Sequence, residues 1–434
     1  MGCFGFFVLP GHGHIPPSLE LARLLRARGH EVVYYTTDHF RPQLEEEGMR
    51  VVTVSLAPGR GRSRFLGRYG RILDSFGRLI DTTVAELPDQ VLEDGVQALL
   101  VDQSVVSGRT IAEIAGVPFV TFIPGLPLRR DRSGRLAPLF APWEPSTGRL
   151  ARMRNRAAFG LFDLATVPFV RRLNRCRRRA GLPPHARLDD TFSDDVVLTQ
   201  FPAELEPDGV RNDRPFHLVG PLVDLEAAER RELPAASAFP WERIDERRPL
   251  LYISYGTVAP ATEPLYHAAL DGSEGLGFMR VVTMGGRPIP PSLADRVDEH
   301  TLIVPFAPQL ALLKRAAAVV SHGGLNSTLE SLLLGVPILA VPICDDQLGI
   351  SGRLSWAGAG LALRASKLSP EPMRRALTRL RDEPEFRDTA RRLARDIQRG
   401  GGAPRAADLI ERLLPVRREA PAHPVGASPG PGSP

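Results

Sequence analysis

Lysine is nearly missing from this chain: only Lys314 and Lys367 occur among 55 basic residues, so almost all the positive charge is arginine. With 50 acids against it the net charge is only +5, and no RNA- or DNA-binding motif accompanies it. A coding bias toward arginine explains this more simply than a nucleic-acid partner. Cysteine is also scarce. Cys3, Cys176 and Cys344 are odd in number and far apart, which excludes a disulfide framework and zinc-ligand spacing and suits reduced thiols in a cytoplasmic protein. No basic segment precedes the apolar run Met1 to Pro10, so a first strand is expected there rather than a secretion signal. The longest apolar run, Leu332 to Cys344, is broken by Gly335, Pro337 and Pro342 and falls short of the ~18 residues of a membrane span. There is no Asp-x-Asp pair to bring magnesium to a diphosphate.

What is present is alternation. At 434 residues the chain suits two domains of about 200 residues each. Short apolar runs at Phe4 to Leu9, Glu31 to Thr36, Val51 to Val54, Ala98 to Val101, Phe119 to Phe122, Val196 to Thr199 and Phe216 to Val219 alternate with helical stretches, predicting a parallel sheet covered on both faces. A second series runs through Leu250 to Tyr255, Arg280 to Thr283, Leu302 to Val304, Ala318 to Ser321, Ile338 to Val341 and Leu361 to Leu363. The expected architecture is therefore two doubly wound α/β sheets in tandem, 1–223 and 250–400. Residues 224–249, rich in charge, alanine and proline, read as the linker. Residues 401–414 form a last helix able to pack back on the first domain, and 415–434 are Pro/Gly/Ala-rich and expected to be disordered.

Two irregular stretches stand out. Pro124 to Ser146 loses periodicity and reads as a long loop shaping a pocket. Leu150 to Ala180 reads as a helix, apolar from Phe159 to Val170 and dense in arginine from Arg171 to Arg179. Its arginines fit a solvated face; the alternative is an amphipathic surface making peripheral contact with a membrane or a greasy substrate.

The richest stretch is Pro305 to Gln347. A strand to Ser321, a Gly323-Gly324 turn and a helix from Asn326 to Leu334 place free N–H groups, Asn326, Ser327 and a helix dipole around one point, where a phosphate is favoured. Gln309, His322, Asn326, Ser327, Asp346 and Gln347 all fall near strand ends, where doubly wound sheets bind ligands. The competing account is a plain βα unit, with Ser327 and Glu330 forming a capping box. In the first half, Gly11-His12-Gly13-His14-Ile15-Pro16-Pro17 follows the first strand. Pro16 stands where the third glycine of a dinucleotide fingerprint belongs, which weakens an NAD reading. Pro17 suits a first helical position, so His14 sits just ahead of a helix whose dipole is expected to lower its pKa. Asp102, at the end of the fourth strand, shares that sheet edge and is a candidate partner that fixes the imidazole tautomer.

These residues resemble a known family. H-G-G-L-N-S-T-x-E followed by P-x-x-x-D-Q is similar to the signature of inverting nucleotide-sugar glycosyltransferases with the two-domain GT-B fold, the UDP-glycosyltransferase superfamily. G-H-x-x-P, the Gly256-Thr257 pair and D-Q-S-V-V-S-G at Asp102 extend the likeness over nearly the whole chain. W-E-P at Trp143 and F-P-W-E-R at Phe239 resemble bacterial zeaxanthin-type and macrolide-type enzymes. The resemblance implies two Rossmann-like domains facing a cleft, with His14 as general base, Asp102 as its partner and His12 a neighbour.

It further implies that Phe306, Ala307 and Gln309 hold the nucleotide base and Glu330 the ribose. Gly13, Gly256, Thr257, His322, Gly324, Asn326 and Ser327 would surround the diphosphate, and Asp346 and Gln347 the sugar hydroxyls. Phe306 and Leu325 stand where many relatives have tryptophan. The implied donor is a UDP-hexose, with glucose the first choice and a TDP-deoxysugar the alternative, and the implied acceptor is a hydrophobic polyketide or terpenoid alcohol. No cofactor or metal is implied. A non-catalytic sugar-nucleotide-binding partner and a UDP-sugar epimerase are the competing classes.

Overall fold

Two β-sheets organise the chain, and every strand pairing within them is parallel. The computed structural model describes residues 1–54, 67–210, 215–257 and 262–414; the tail 415–434, expected to be disordered, lies outside the described residues. The first sheet comprises β1 (Cys3–Phe7), β2 (Glu31–Thr36), β3 (Arg50–Thr53), β4 (Ala98–Asp102), β5 (Phe119–Ile123), β6 (Val197–Thr199) and β7 (Phe216–Leu218), in spatial order β3-β2-β1-β4-β5-β6-β7. The second comprises β8 (Leu250–Ser254), β9 (Met279–Thr283), β10 (Thr301–Val304), β11 (Ala316–Ser321), β12 (Ile338–Ala340) and β13 (Gly360–Ala362), in order β10-β9-β8-β11-β12-β13. Strand order reverses between β1 and β4 and again between β8 and β11. Those are the two switch points where open parallel sheets form ligand crevices.

The strands are mostly apolar because helices cover both faces. β1, β4, β5, β8 and β9 are buried along their whole length. Successive residues feed opposite cores: Phe4, Phe6, Tyr34 and Leu100 pack on one face of the first sheet, and Phe7, Tyr35, Leu99 and Val101 on the other. Each such side chain contributes about 1.5–3 kcal/mol on burial, so the sheets fix the strand ends that carry the polar residues.

Four features bring the halves together. The 224–249 stretch contains a helix, Leu225–Ala238, started by Asp224, whose carboxylate accepts from Ala227 N at 2.9 Å. The 124–148 connection lies against the second domain: Leu139 O accepts from Gly349 N at 2.9 Å, and a Cβ on Gly349 would stand 2.6 Å from that same oxygen. The helix Pro384–Gln398 places Leu393 and Ile397 in the second-sheet core, after which the chain turns back. There Gly402 N bonds Val219 O at 2.8 Å, and Gly401 takes φ +90, a conformation suited to glycine. The closing helix Gly402–Glu411 then lays Ala406, Ala407 and Ile410 into the core beneath the first helix, Ile15–Ala27. Arg28 clamps it through Asp408 and Glu411, each at 2.7 Å.

Candidate active site

The turn after β1 closes through Gly11 O, which accepts from His14 N at 2.9 Å and Ile15 N at 3.0 Å. The helix begins at Ile15, two residues earlier than its prolines suggest, and both prolines sit in the first turn, where their missing amides cost nothing. His14 is the residue capping this start, and its imidazole turns away from the helix. Nδ1 meets Asp102 Oδ2 at 2.5 Å. Phe7 pairs with Val101 in the sheet, so the two chains emerge side by side at the same edge. Asp102 is fully buried; its carboxylate also accepts from Ser104 N at 2.8 Å and Leu9 N at 3.4 Å, which fixes its orientation. No described residue bonds His14 Nε2. His12 lies apart, its ring edge-on to Phe40 at 5.3 Å.

The expected direction of the His14 shift is corrected by this geometry. Burial opposes the imidazolium, but the charge and hydrogen bond of Asp102, with a further contribution from Asp346, outweigh it and hold the pKa above the ordinary imidazole value. Two carboxylates at close range dominate the partial charge of a helix end.

Across the crevice, His322 follows β11 and lies between two glycines. A Cβ on Gly256 would stand 2.7 Å from His322 Cε1, and one on Gly324 2.5 Å from Nε2. Gly256 has φ +74, so two independent requirements favour glycine there. Burial pushes the His322 pKa down to about 4 against a backbone bond to Ser254. The ring is therefore neutral at neutral pH, able to hydrogen-bond but not to supply a positive charge.

The helix after the Gly323-Gly324 turn is Leu325–Leu333, with Gly324 at its cap and no side-chain capping bond. The capping-box account is thus overturned: Glu330 bonds Gln309 Nε2 instead, and the Ser327 hydroxyl has no hydrogen-bond partner among the described residues. Leu325 is buried in the core, so it does not face the cleft as the tryptophan of relatives implied. Phe306 is 59% exposed over a pocket of about 270 Å³ that Leu329, Glu330, Asn326 and Pro17 also line. Ala307 is buried beneath it. Burial pushes the Glu330 pKa up to about 7.

The two halves touch at this point. Asn326 Nδ2 donates to Gly13 O at 3.4 Å, one residue from His14, and its Oδ1 accepts from Gln200 Nε2 at 2.8 Å. Asp346 Oδ2 accepts from Leu126 N at 3.0 Å, and burial raises the Asp346 pKa. Asp345 just before it has φ +54, a strained turn that aims Asp346 across the cleft. Gln347 points inward: its Oε1 accepts from Ile343 N at 2.9 Å and Cys344 N at 3.1 Å, holding the loop. Thr257 is exposed at the end of the β8 turn. Among the described residues no group of three or more His, Cys, Asp or Glu converges as for a metal ion.

Two site residues escaped sequence reasoning. Gln200 also donates to Pro124 O and stands at the carboxyl end of β6, a position whose meaning was legible once the strand was placed. Glu232, on the linker helix, lines the same pocket and accepts from Leu310 N at 3.0 Å. Its signal was Asp224 at the N-cap of a Leu-Glu-Ala-Ala run, obscured by Pro234 inside the helix.

Residues 290–414 match the family described as erythromycin biosynthesis protein CIII-like, C-terminal domain. The chain is 27% identical to zeaxanthin glucosyltransferase of Pantoea ananas, over 95% of this chain and 96% of that one. It is likewise 27% identical to oleandomycin glycosyltransferase of Streptomyces antibioticus, over 98% and 94%. Over nearly its whole length the chain is similar to glycosyltransferases of the UDP-glycosyltransferase superfamily. Its fold is that of the solved kitacinnamycin glycosyltransferase, with a TM-score of 0.75 at 24% identity over 95% of this chain and 99% of the other. The chain is a glycosyltransferase of the macrolide and carotenoid type with the GT-B fold.

Proposed function

We propose that the transferase moves a hexose, with glucose the first candidate, from a UDP-sugar to a hydroxyl of a hydrophobic small molecule, with inversion and without a metal ion. His14 Nε2 takes the proton of the acceptor hydroxyl, the oxygen lone pair forms the new bond to the anomeric carbon, and the bond from that carbon to the diphosphate breaks. UDP leaves with that electron pair. Asp102 fixes the tautomer and stabilises the imidazolium. Asn326, Ser327, Gly324, Gly256, Thr257 and His322 receive the diphosphate through hydrogen bonds and the positive end of Leu325–Leu333. Phe306, Ala307 and Gln309 hold the base, Glu330 the ribose hydroxyls and Asp346 the sugar; Gln347, expected on the sugar, instead holds the loop that carries Asp346.

The observation that carries this reading is the 2.5 Å His14–Asp102 pair, held one residue from the Gly13 carbonyl that meets Asn326 in the opposite domain. The UDP choice is supported by Glu330, a pocket carboxylate able to accept from both hydroxyls of a ribose; a 2′-deoxyribose offers one. The test is a mass-spectrometric screen of UDP- and TDP-sugars against apolar alcohols, with and without a chelator. A hexose added from UDP-sugar, undiminished by chelation, is expected. Transfer from TDP-sugars alone would overturn the donor assignment. Product from UDP-sugar without acceptor would move the reading to an epimerase.

A further inference from the structure

We propose that the outward face of the long helix Arg149–Arg179 docks on an anionic lipid bilayer. Four large apolar side chains on it face away from the protein: Leu150 is 82% exposed, Met153 65%, Leu161 68% and Leu164 69%. At 3.6 residues per turn they fall within about 80° of arc, so they form one stripe. The helix already buries an inward stripe through Phe159, Val170 and Leu173, as an ordinary surface helix does. The second stripe has no such use. Phe140, itself partly exposed, stacks on Phe162 at 5.5 Å and widens the apolar margin.

Charge identifies the occupant. The helix carries ten arginines against one acid, Asp163, which Arg130 already neutralises. Inward arginines are paired: Arg177 with Glu113 and Arg172 with Asp81. The outward ones are not. Arg171, Arg175 and Arg178 extend the stripe toward the helix C-terminus, exposed and without an acidic partner among the described residues. Arg154, stacked on Trp143 at 4.0 Å, and Arg156 flank its start. Guanidinium groups at the margins of an apolar ridge suit a headgroup layer above acyl chains. A second copy of this face would bring arginine against arginine.

Docking there has a consequence for the enzyme. Arg130 lies over the Phe159 ring at 5.5 Å and joins this helix to the 124–148 connection, whose Leu126 N meets Asp346 in the cleft. The docked face and the cleft margin therefore belong to one packed unit. Docking itself does not depend on the assigned donor or acceptor.

The test is co-sedimentation of the full chain with phosphatidylcholine vesicles lacking or containing phosphatidylglycerol, at low and high salt. Binding to the anionic vesicles alone, weakened by salt, is expected. The double variants Leu161→Asp/Leu164→Asp and Arg171→Glu/Arg175→Glu should each lower partitioning about tenfold or more. Both should keep the wild-type melting temperature and the wild-type rate on a water-soluble acceptor. Wild-type protein left in the supernatant at low salt would overturn the proposal. So would equal vesicle binding by folded variants, or a wild-type oligomer that the leucine variant dissociates without changing vesicle binding.

Discussion

Asp102→Asn isolates the orienting half of the proposed base. The carboxylate of Asp102 faces three N–H donors: Leu9 N, Ser104 N and the His14 Nδ1–H. An asparagine of the same shape can keep Oδ1 on the backbone but must turn an NH2 toward one of the others. The arrangement that keeps the short Ser104 bond and gives up only the long Leu9 contact points that NH2 at His14 Nδ1, which then accepts, so the ring proton moves to Nε2. Nε2 is the atom that must receive the acceptor's proton. Loss of the base lowers turnover by roughly 100- to 10,000-fold, equivalent to about 2.7–5.4 kcal/mol of barrier. The upper end is expected here, because the variant both withdraws the negative charge and holds the wrong tautomer.

The pH profile adds a second readout. His14 must be neutral to act, and Asp102 holds its pKa above the ordinary value, so the acid limb of kcat/KM lies higher than for a free imidazole. Without that charge, burial dominates and the residual limb should move toward acid even as the plateau falls. Because folding raises this pKa, protonation of His14 also stabilises the wild-type fold. That contribution is complete below the unfolded imidazole range and lost as pH rises through the folded value; the variant should show less of it. Rates across pH with UDP-glucose and an apolar phenol, beside UDP titration calorimetry, measure all three. Near-wild-type turnover, or an acid limb that stays in place while the plateau falls, would refute the reasoning.

Other residues give independent checks. Folding raises the Glu330 pKa to about 7, so its contribution to stability is present below the ordinary glutamate range and lost as pH rises through that value. Glu330→Gln should flatten the fall in melting temperature between pH about 5 and about 8, while weakening UDP binding by about 10- to 100-fold as a charged hydrogen-bond acceptor is lost. Gly256→Ala combines a left-handed conformation costing about 1–2 kcal/mol with a methyl pressed on the His322 ring. Calorimetry should find UDP binding at least about tenfold weaker. Gln200→Ala leaves Asn326 Oδ1 and Pro124 O without their donor, a loss of about 1–3 kcal/mol. It should lower kcat/KM more than it changes UDP affinity, because the lost bond joins the domains; an unchanged kcat/KM would remove Gln200 from the site.

The strands were legible because burial on both faces leaves almost no polar residue inside them, and the observed bounds depart from the sequence reading by one or two residues. The Gly323-Gly324 turn was legible for a local reason: its glycines and the following Asn-Ser run lie within a few residues of one another. What was hidden depended on contacts between distant residues. Ser327 and Glu330 have the spacing of a capping box, yet Gln309 lies near Glu330 only after a short helix, β11 and a turn are folded. The linker helix looked extended because Pro234 interrupts it, although Asp224 marks its start. Leu325 resembled a site position by alignment of a motif, but the helix turns that side chain into the core.

The pKa of His14 was misjudged for a related reason, and the correction bears on mechanism. Each sheet places one imidazole at its switch point, and the surroundings tune the two in opposite directions. Asp102 and Asp346 hold His14 above the ordinary value, which makes Nε2 a better proton acceptor when a hydroxyl approaches. Burial between Gly256 and Gly324, with no carboxylate nearby to offset it, holds His322 near 4 and neutral. A neutral donor beside a diphosphate gains most when negative charge grows on the leaving oxygen, since its own proton affinity rises with that charge. Groups whose environments drive their pKa values apart take opposite roles in acid–base chemistry. On the proposed mechanism the acceptor side needs a base, the leaving-group side needs a donor, and the fold supplies the difference with the same residue type in two environments.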